Sequence, residues 1–179
     1  MFRQLLAATA FTAVMAAPAA AELQPGEAAP DFTVEGFQAG EPASFHLTEA
    51  LAEGPVVLFF FPAAYTSGCE AQAASFAESI AEFEALGARV IGVTAGNTDR
   101  LAEFSTQHCA SAFPVFAVAD GMIGDYEAGW LLRPGWTSRT TYVIGTDQTI
   151  AMTYTEMSPY EHVDRSLTAL REMQGGTDE

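Results

Sequence analysis

Cys69 and Cys109 are the only thiols in a chain of 179 residues, and the first sits where a thiol can react. It closes the segment Phe59-Phe60-Phe61-Pro62-Ala63-Ala64-Tyr65-Thr66-Ser67-Gly68-Cys69, in which an apolar run of strand type gives way to a short loop and then to helix-forming residues. The cysteine therefore falls in the first turn of a helix, beyond the carboxyl end of a buried strand, where open α/β sheets bind their ligands. Unpaired backbone N–H groups and the positive end of the helix dipole favour thiolate over thiol there, and the thiolate is the nucleophilic form. Thr66 lies three residues earlier, on the same turn, where a hydroxyl can reach the sulfur and any oxygen approaching it. Gly68 lets backbone come close to a ligand. The same spacing also suits an inert cysteine at the start of a core helix.

The elements that must position this segment are legible from periodicity. Asp31 to Phe37 alternates weakly and, with Ser44 to Leu47, reads as an edge hairpin. Pro55 to Phe61 is continuously apolar, as in a central strand buried on both faces. Phe76, Ile80 and Phe83 fall at i, i+4 and i+7, which predicts one amphipathic helix stopped by Gly87. Arg89 to Val93 and Val115 to Val118 read as strands, with a helix over Thr98 to His108 between them, opened by Thr and Asp and ending beside Cys109. Thr140 to Ile144 and Thr149 to Thr155 form a hairpin around Gly145 to Gln148. Ser158-Pro159-x-Glu161 predicts the capped start of a last helix. The order βαβαβ followed by ββα points to an α/β chain with a central mixed β-sheet flanked by helices, a thioredoxin-like layout.

Composition narrows what such a site can serve. With 49% hydrophobic and 17% charged residues the chain has a core for one domain and needs no disulfide framework to fold. All seven basic residues are Arg against 23 acids, a formal charge of −16. No basic face for nucleic acid can be assembled from that set, and a small or neutral substrate is expected. Met1-Phe2-Arg3, the apolar stretch Leu5 to Ala17 and Ala19-Ala20-Ala21 predict a cleaved signal peptide over 1–21, followed by one domain over 22–179. The apolar stretch is shorter than the ~20 residues that span a bilayer, so no membrane anchor is expected. An exported, oxidising location, such as a periplasm, follows, in which two thiols can form a disulfide.

Pro62-x-x-x-Thr66-x-x-Cys69 resembles the active-site loop of the peroxiredoxins. The phenylalanine-rich strand and Thr66-Ser67-Gly68-Cys69 look most like the Q-type branch that includes bacterioferritin comigratory protein. The likeness runs from Pro25-Gly26-Glu27-Ala28-Ala29-Pro30-Asp31-Phe32 to Arg139-x-Thr141-Tyr142-Val143-Ile144. It implies a thiol peroxidase on a thioredoxin-like fold, without metal or cofactor, that reduces hydrogen peroxide and organic hydroperoxides. Cys69 would be the peroxidatic nucleophile, Thr66 its hydroxyl partner, Arg139 the guanidinium and Pro62 the shield of the pocket. The resulting sulfenic acid needs a second thiol. Much of the branch carries it five residues on, where this chain has Ala74; some relatives resolve through a cysteine in the region of Cys109, so the resemblance allows that role for Cys109, with a buried structural thiol or a static Cys69–Cys109 disulfide as alternatives. A thioredoxin-like or other thiol reductant would recycle the protein, and a monomer is expected.

Arg133, between Trp130 and Trp136 in a segment that is either a flap near the pocket or a packed loop, is the second candidate guanidinium. His46 and His162 are expected to be solvated. His108, beside Cys109, gives only a weak metal motif. Two other functions fit parts of the pattern. A thiol–disulfide oxidoreductase would normally carry Cys-x-x-Cys, whereas Glu70-Ala71-Gln72 follow Cys69. A non-enzymatic exported binding or chaperone-like protein would keep the fold and a disulfide alone.

Overall fold

The apolar run that precedes the reactive segment forms strand β3, Val56–Phe60, and every one of its residues is buried. In the computed structural model, which describes residues 22–119 and 121–175, β3 lies between a parallel neighbour, β4 (Arg89–Thr94), and an antiparallel one, β6 (Thr140–Ile144). The predicted signal segment, 1–21, lies outside the described residues. With β1 (Thr33–Gln38), β2 (Glu41–His46), β5 (Val115–Ala117) and β7 (Ile150–Thr155), these strands make a mixed seven-stranded sheet in the order β2-β1-β5-β4-β3-β6-β7. The expected hairpins are present, β1 with β2 at one edge and β6 with β7 at the other.

Alternation along β3 divides the interior in two. Val57 and Phe59, with Phe61 just beyond, face a core shared with Cys69, Phe76, Phe83, Phe104 and Leu167. Val56, Leu58 and Phe60 face the opposite core with Phe32, Phe45, Tyr126 and Tyr142. The first core is roofed by α2 (Ser67–Glu78), α3 (Ile80–Ala85), α4 (Leu101–Gln107) and α6 (His162–Gly175); α1 (Leu47–Leu51) and α5 (Met122–Asp125) complete the second layer. Phe59 stacks on Phe76 with ring centroids 4.4 Å apart, so strand and reactive helix share one aromatic contact. Burying a side chain of this size contributes about 1.5–3 kcal/mol.

The structure departs from the sequence reading in four places. The single helix expected across Phe76, Ile80 and Phe83 is two, broken at Ser79 (φ −99°, ψ 4°). Ser75 donates its hydroxyl back to the Ala71 carbonyl at 3.0 Å, a bond that bends helices, yet Phe76 and Phe83 still reach the same core. The segment from Thr98 opens as a 3-10 turn over Thr98–Arg100 before α4 begins. The last helix starts at His162 and not at Ser158, because Glu161 pairs with Arg165 at 2.9 Å and the Ser158 amide bonds the Glu156 side chain, so no capping box forms. His162 is fully buried, not solvated. It lies four residues before Ser166 and eight before Leu170, on the buried stripe of α6.

Candidate active site

The loop between β3 and α2 is fixed from both sides before it delivers the thiol. The Thr137 hydroxyl donates to the Phe61 carbonyl at 2.6 Å. From the end of β4, the Gly96 carbonyl accepts the Ala64 amide at 3.1 Å and the Asn97 side-chain amide donates to the Ala64 carbonyl at 2.7 Å. A Cβ on Gly96 would come within 2.5 Å of the Pro62 carbonyl and the Ala63 side chain, so the strand end can approach the loop only as glycine. Tyr65 takes a left-handed conformation (φ 58°); the Arg100 guanidinium lies 3.9 Å from its ring centroid and its hydroxyl reaches Gln107 at 3.2 Å. Thr66, extended, is the N-cap of α2, and its carbonyl accepts the amides of Cys69 and Glu70, both at 2.9 Å. Pro62 is buried next to this turn. The Thr66 hydroxyl donates to the Ala63 carbonyl at 3.1 Å, a different partner from the sulfur expected from spacing.

Arg139, one residue before β6, meets the thiol. Its Nη2 lies 3.6 Å from Cys69 Sγ. The other donors go to oxygen: Nε to the Met157 carbonyl at 2.9 Å, Nη1 to Gln72 Oε1 at 2.5 Å and to the Gly68 carbonyl at 3.3 Å. Arg139 is 3% exposed and Cys69 1%. Among the described residues no carboxylate pairs with Arg139, whereas Arg89, Arg100, Arg165 and Arg171 each meet a glutamate. The guanidinium is thus held by neutral oxygen acceptors, and its further contact is the Cys69 sulfur. Gly68 makes room, since a Cβ there would sit 2.9 Å from Nη2. Gln72 was not singled out from the sequence; it is fully buried, and its Nε2 is a donor without a partner beside the guanidinium.

The competing arginine is elsewhere. Arg133 is exposed and stacks on Trp136, with its guanidinium carbon 4.1 Å from the ring centroid. The Trp130 amide bonds the Trp136 carbonyl at 2.9 Å, which makes the segment a small hairpin-like loop with Leu131 and Leu132 in solvent.

Cys109 follows α4 and is fully buried in the same core cluster as Cys69, Phe104 and Phe113. The two sulfurs are not joined. Burial pushes the Cys109 thiol far up, so it stays protonated at neutral pH. Ala110 (φ 48°) and Ser111 (φ 60°) follow it, both left-handed. His108 lies against the rings of Phe104 and Tyr65, with Nε2 3.5 Å from Glu70. His46, half-buried on the edge strand, pairs with Asp31 at 2.9 Å.

A thioredoxin-like sheet that presents a buried cysteine at a helix start, against an arginine from the neighbouring strand, defines a class of thiol enzyme. Residues 25–153 match the AhpC/TSA family, and the chain belongs to it: it is a peroxiredoxin, a thiol-dependent peroxidase. Chloroplastic peroxiredoxin Q of Arabidopsis thaliana is 30% identical over 152 residues, covering 84% of this chain and 68% of that protein. The crystal structure of peroxidoxin BcpB from Mycobacterium tuberculosis superposes with a TM-score of 0.72 at 30% identity, covering 84% of this chain and 98% of that one. The AhpC structure from the same organism, 19% identical with a TM-score of 0.72 over 89% of this chain and 97% of its own, shares the fold.

Proposed function

We propose that Cys69 is the peroxidatic residue and that Arg139 is the group that activates both it and the substrate. The observation that carries this reading is the buried guanidinium, without a carboxylate, whose Nη2 stands 3.6 Å from Cys69 Sγ. The thiolate of Cys69 attacks one peroxide oxygen, the O–O bond breaks, and the leaving oxygen departs as hydroxide or alkoxide and takes a proton. The products are a Cys69 sulfenic acid and water or an alcohol. Negative charge migrates from sulfur to the leaving oxygen, so donors aimed at both ends lower the barrier. Arg139 keeps one further N–H on Nη2 for this, beside the one at sulfur, and the Thr66 hydroxyl becomes available to the peroxide by rotating away from the Ala63 carbonyl. Pro62 shields the reacting atoms from bulk water.

Cys109 resolves the sulfenic acid: its thiol sulfur displaces the hydroxyl of Cys69–SOH as water, forming an internal disulfide that a thioredoxin-like dithiol then reduces. This assignment is supported by Cys109 being the only other thiol and sharing the core with Cys69. Burial keeps it protonated and inert in the reduced protein, so resolution requires the first turn of α2 and the segment around Cys109 to open locally. The N-terminal pattern supports export by cleavage after Ala21 into an oxidising compartment. Mass mapping after one equivalent of hydrogen peroxide tests the scheme. A monomer about 2 Da lighter, with both thiols lost to one internal bond, is expected. A Cys109 that remains alkylatable while Cys69 is sulfenic would make this a one-cysteine peroxidase.

A further inference from the structure

We infer that His162 is a positioning residue for the guanidinium at Cys69, acting through the turn at Glu156 and Met157; the inference rests on the proposed role of Arg139. The Nε of Arg139 is anchored by the Met157 carbonyl at 2.9 Å. Met157 belongs to the irregular segment between β7 and α6, where Glu156, Met157 and Ser158 are all exposed. A solvated turn of this kind has little packing of its own and must be held by hydrogen bonds. Two are present. The Glu156 amide donates to the Arg139 carbonyl at 3.2 Å, and His162 Nε2 lies 3.0 Å from the Glu156 carbonyl. Because a carbonyl can only accept, Nε2 carries the proton, which leaves Nδ1 to accept from the Thr141 hydroxyl at 2.8 Å.

The imidazole is thus clamped between strand and turn. It is fully buried, and the Tyr154 ring meets it edge-on with centroids 4.8 Å apart. Thr141 stands two residues after Arg139, so both project to one side of the strand, and a closed circuit runs from Cys69 through Arg139, Met157, Glu156, His162 and Thr141 back to that strand. The charged and titratable groups around His162 are Arg139, Tyr154, Glu156, Glu161 and Arg165, with Cys69 beyond Arg139. Burial, reinforced by the positive charge of Arg139 and opposed by the bond to Glu156, holds the imidazole below its ordinary value. It therefore works as a neutral two-ended hydrogen-bonding strut.

The test uses His162→Phe, which keeps an aromatic ring and loses both hydrogen bonds, and His162→Gln, which retains one N–H donor. Each is placed in the wild-type and Arg139→Met backgrounds. In wild type, His162→Phe is expected to slow attack on hydrogen peroxide by about fivefold or more and to move the pH of Cys69 alkylation upward, while His162→Gln recovers part of both. In Arg139→Met, the same change is expected to alter the attack rate by less than about twofold, since the residue through which it acts is gone. A folded His162→Phe protein whose attack rate and alkylation profile match wild type overturns the inference, as does equal slowing in the two backgrounds. Should His162→Phe not fold, Thr141→Val removes only the hydroxyl and is read by the same criteria. If Arg139→Met itself leaves attack unchanged, the role of Arg139 fails first, and that outcome is distinct.

Discussion

Replacing Arg139 by methionine removes the buried cation in contact with Cys69 Sγ and keeps an apolar stem of similar reach. The Coulomb energy of a unit charge pair at 3.6 Å is about 4 to 5 kcal/mol at an effective dielectric constant of ~20. That is an upper bound, because the positive charge is spread over three nitrogens. A charge-assisted hydrogen bond is worth about 1.5–3 kcal/mol, and about 2 kcal/mol of lost transition-state stabilisation corresponds to a slowing of about thirtyfold. The substitution also strands three acceptors, the carbonyls of Met157 and Gly68 and Oε1 of Gln72, while it removes the desolvation cost of a buried charge. These opposing effects keep the fold intact. Stopped-flow mixing of the pre-reduced variant with hydrogen peroxide reads the attack step alone, and thermal melting confirms folding. Attack within about threefold of wild type, or a larger loss in Arg133→Met than in Arg139→Met, refutes the reasoning.

Cys69→Ser should abolish peroxide reduction in a steady-state assay, since an alcohol is barely ionised at neutral pH; activity within about tenfold of wild type contradicts the assignment. Thr66→Val should slow attack by about tenfold and cost about 1 kcal/mol of stability, because it removes the hydroxyl that donates to the carbonyl of buried Ala63 in the resting protein. Cys109→Ser should keep the first attack rate, accumulate a sulfenic acid that a dimedone-type reagent labels, and lose turnover with a thioredoxin-like donor. Because the folded-state value of His162 is depressed, the unfolded chain binds its proton first on acidification. Its contribution to stability is complete above pH ~6.5 and is lost as the pH falls through the folded value, so urea midpoints of wild type and His162→Gln should converge as the pH is lowered to about 5.

What the sequence disclosed and what it withheld have a common physical origin. Strand β3 and the thiol after it were legible because burial on both faces demands an unbroken apolar run and because a loop ending in Gly68-Cys69 leads into helix-forming residues. Arg139 could be preferred to Arg133 on its place at a strand start, and its side chain lies beside Cys69 while that of Arg133 stacks on Trp136. Gln72 and His162 escaped because nothing local marks them: each is polar, and its value lies in partners 67 and 21 residues away in the chain, Arg139 and Thr141. The stripe linking His162 to Ser166 and Leu170 was a usable signal of burial, though not of its partners. The start of α6 was misplaced because Glu156 and Met157 are drawn to Arg139 and His162, and a tertiary claim on the backbone overrides a local capping motif.

The left-handed pair Ala110 and Ser111 makes the reduced fold a loaded spring. Each holds a non-glycine residue in a conformation that costs about 1 kcal/mol or more, and the cost persists only while the core grips Cys109. If Cys109 resolves Cys69 as proposed, drawing this segment out would let both residues relax and would offset part of the loss of buried contacts. Substituting Gly at both positions would leave the reduced protein more stable and slower to close its disulfide.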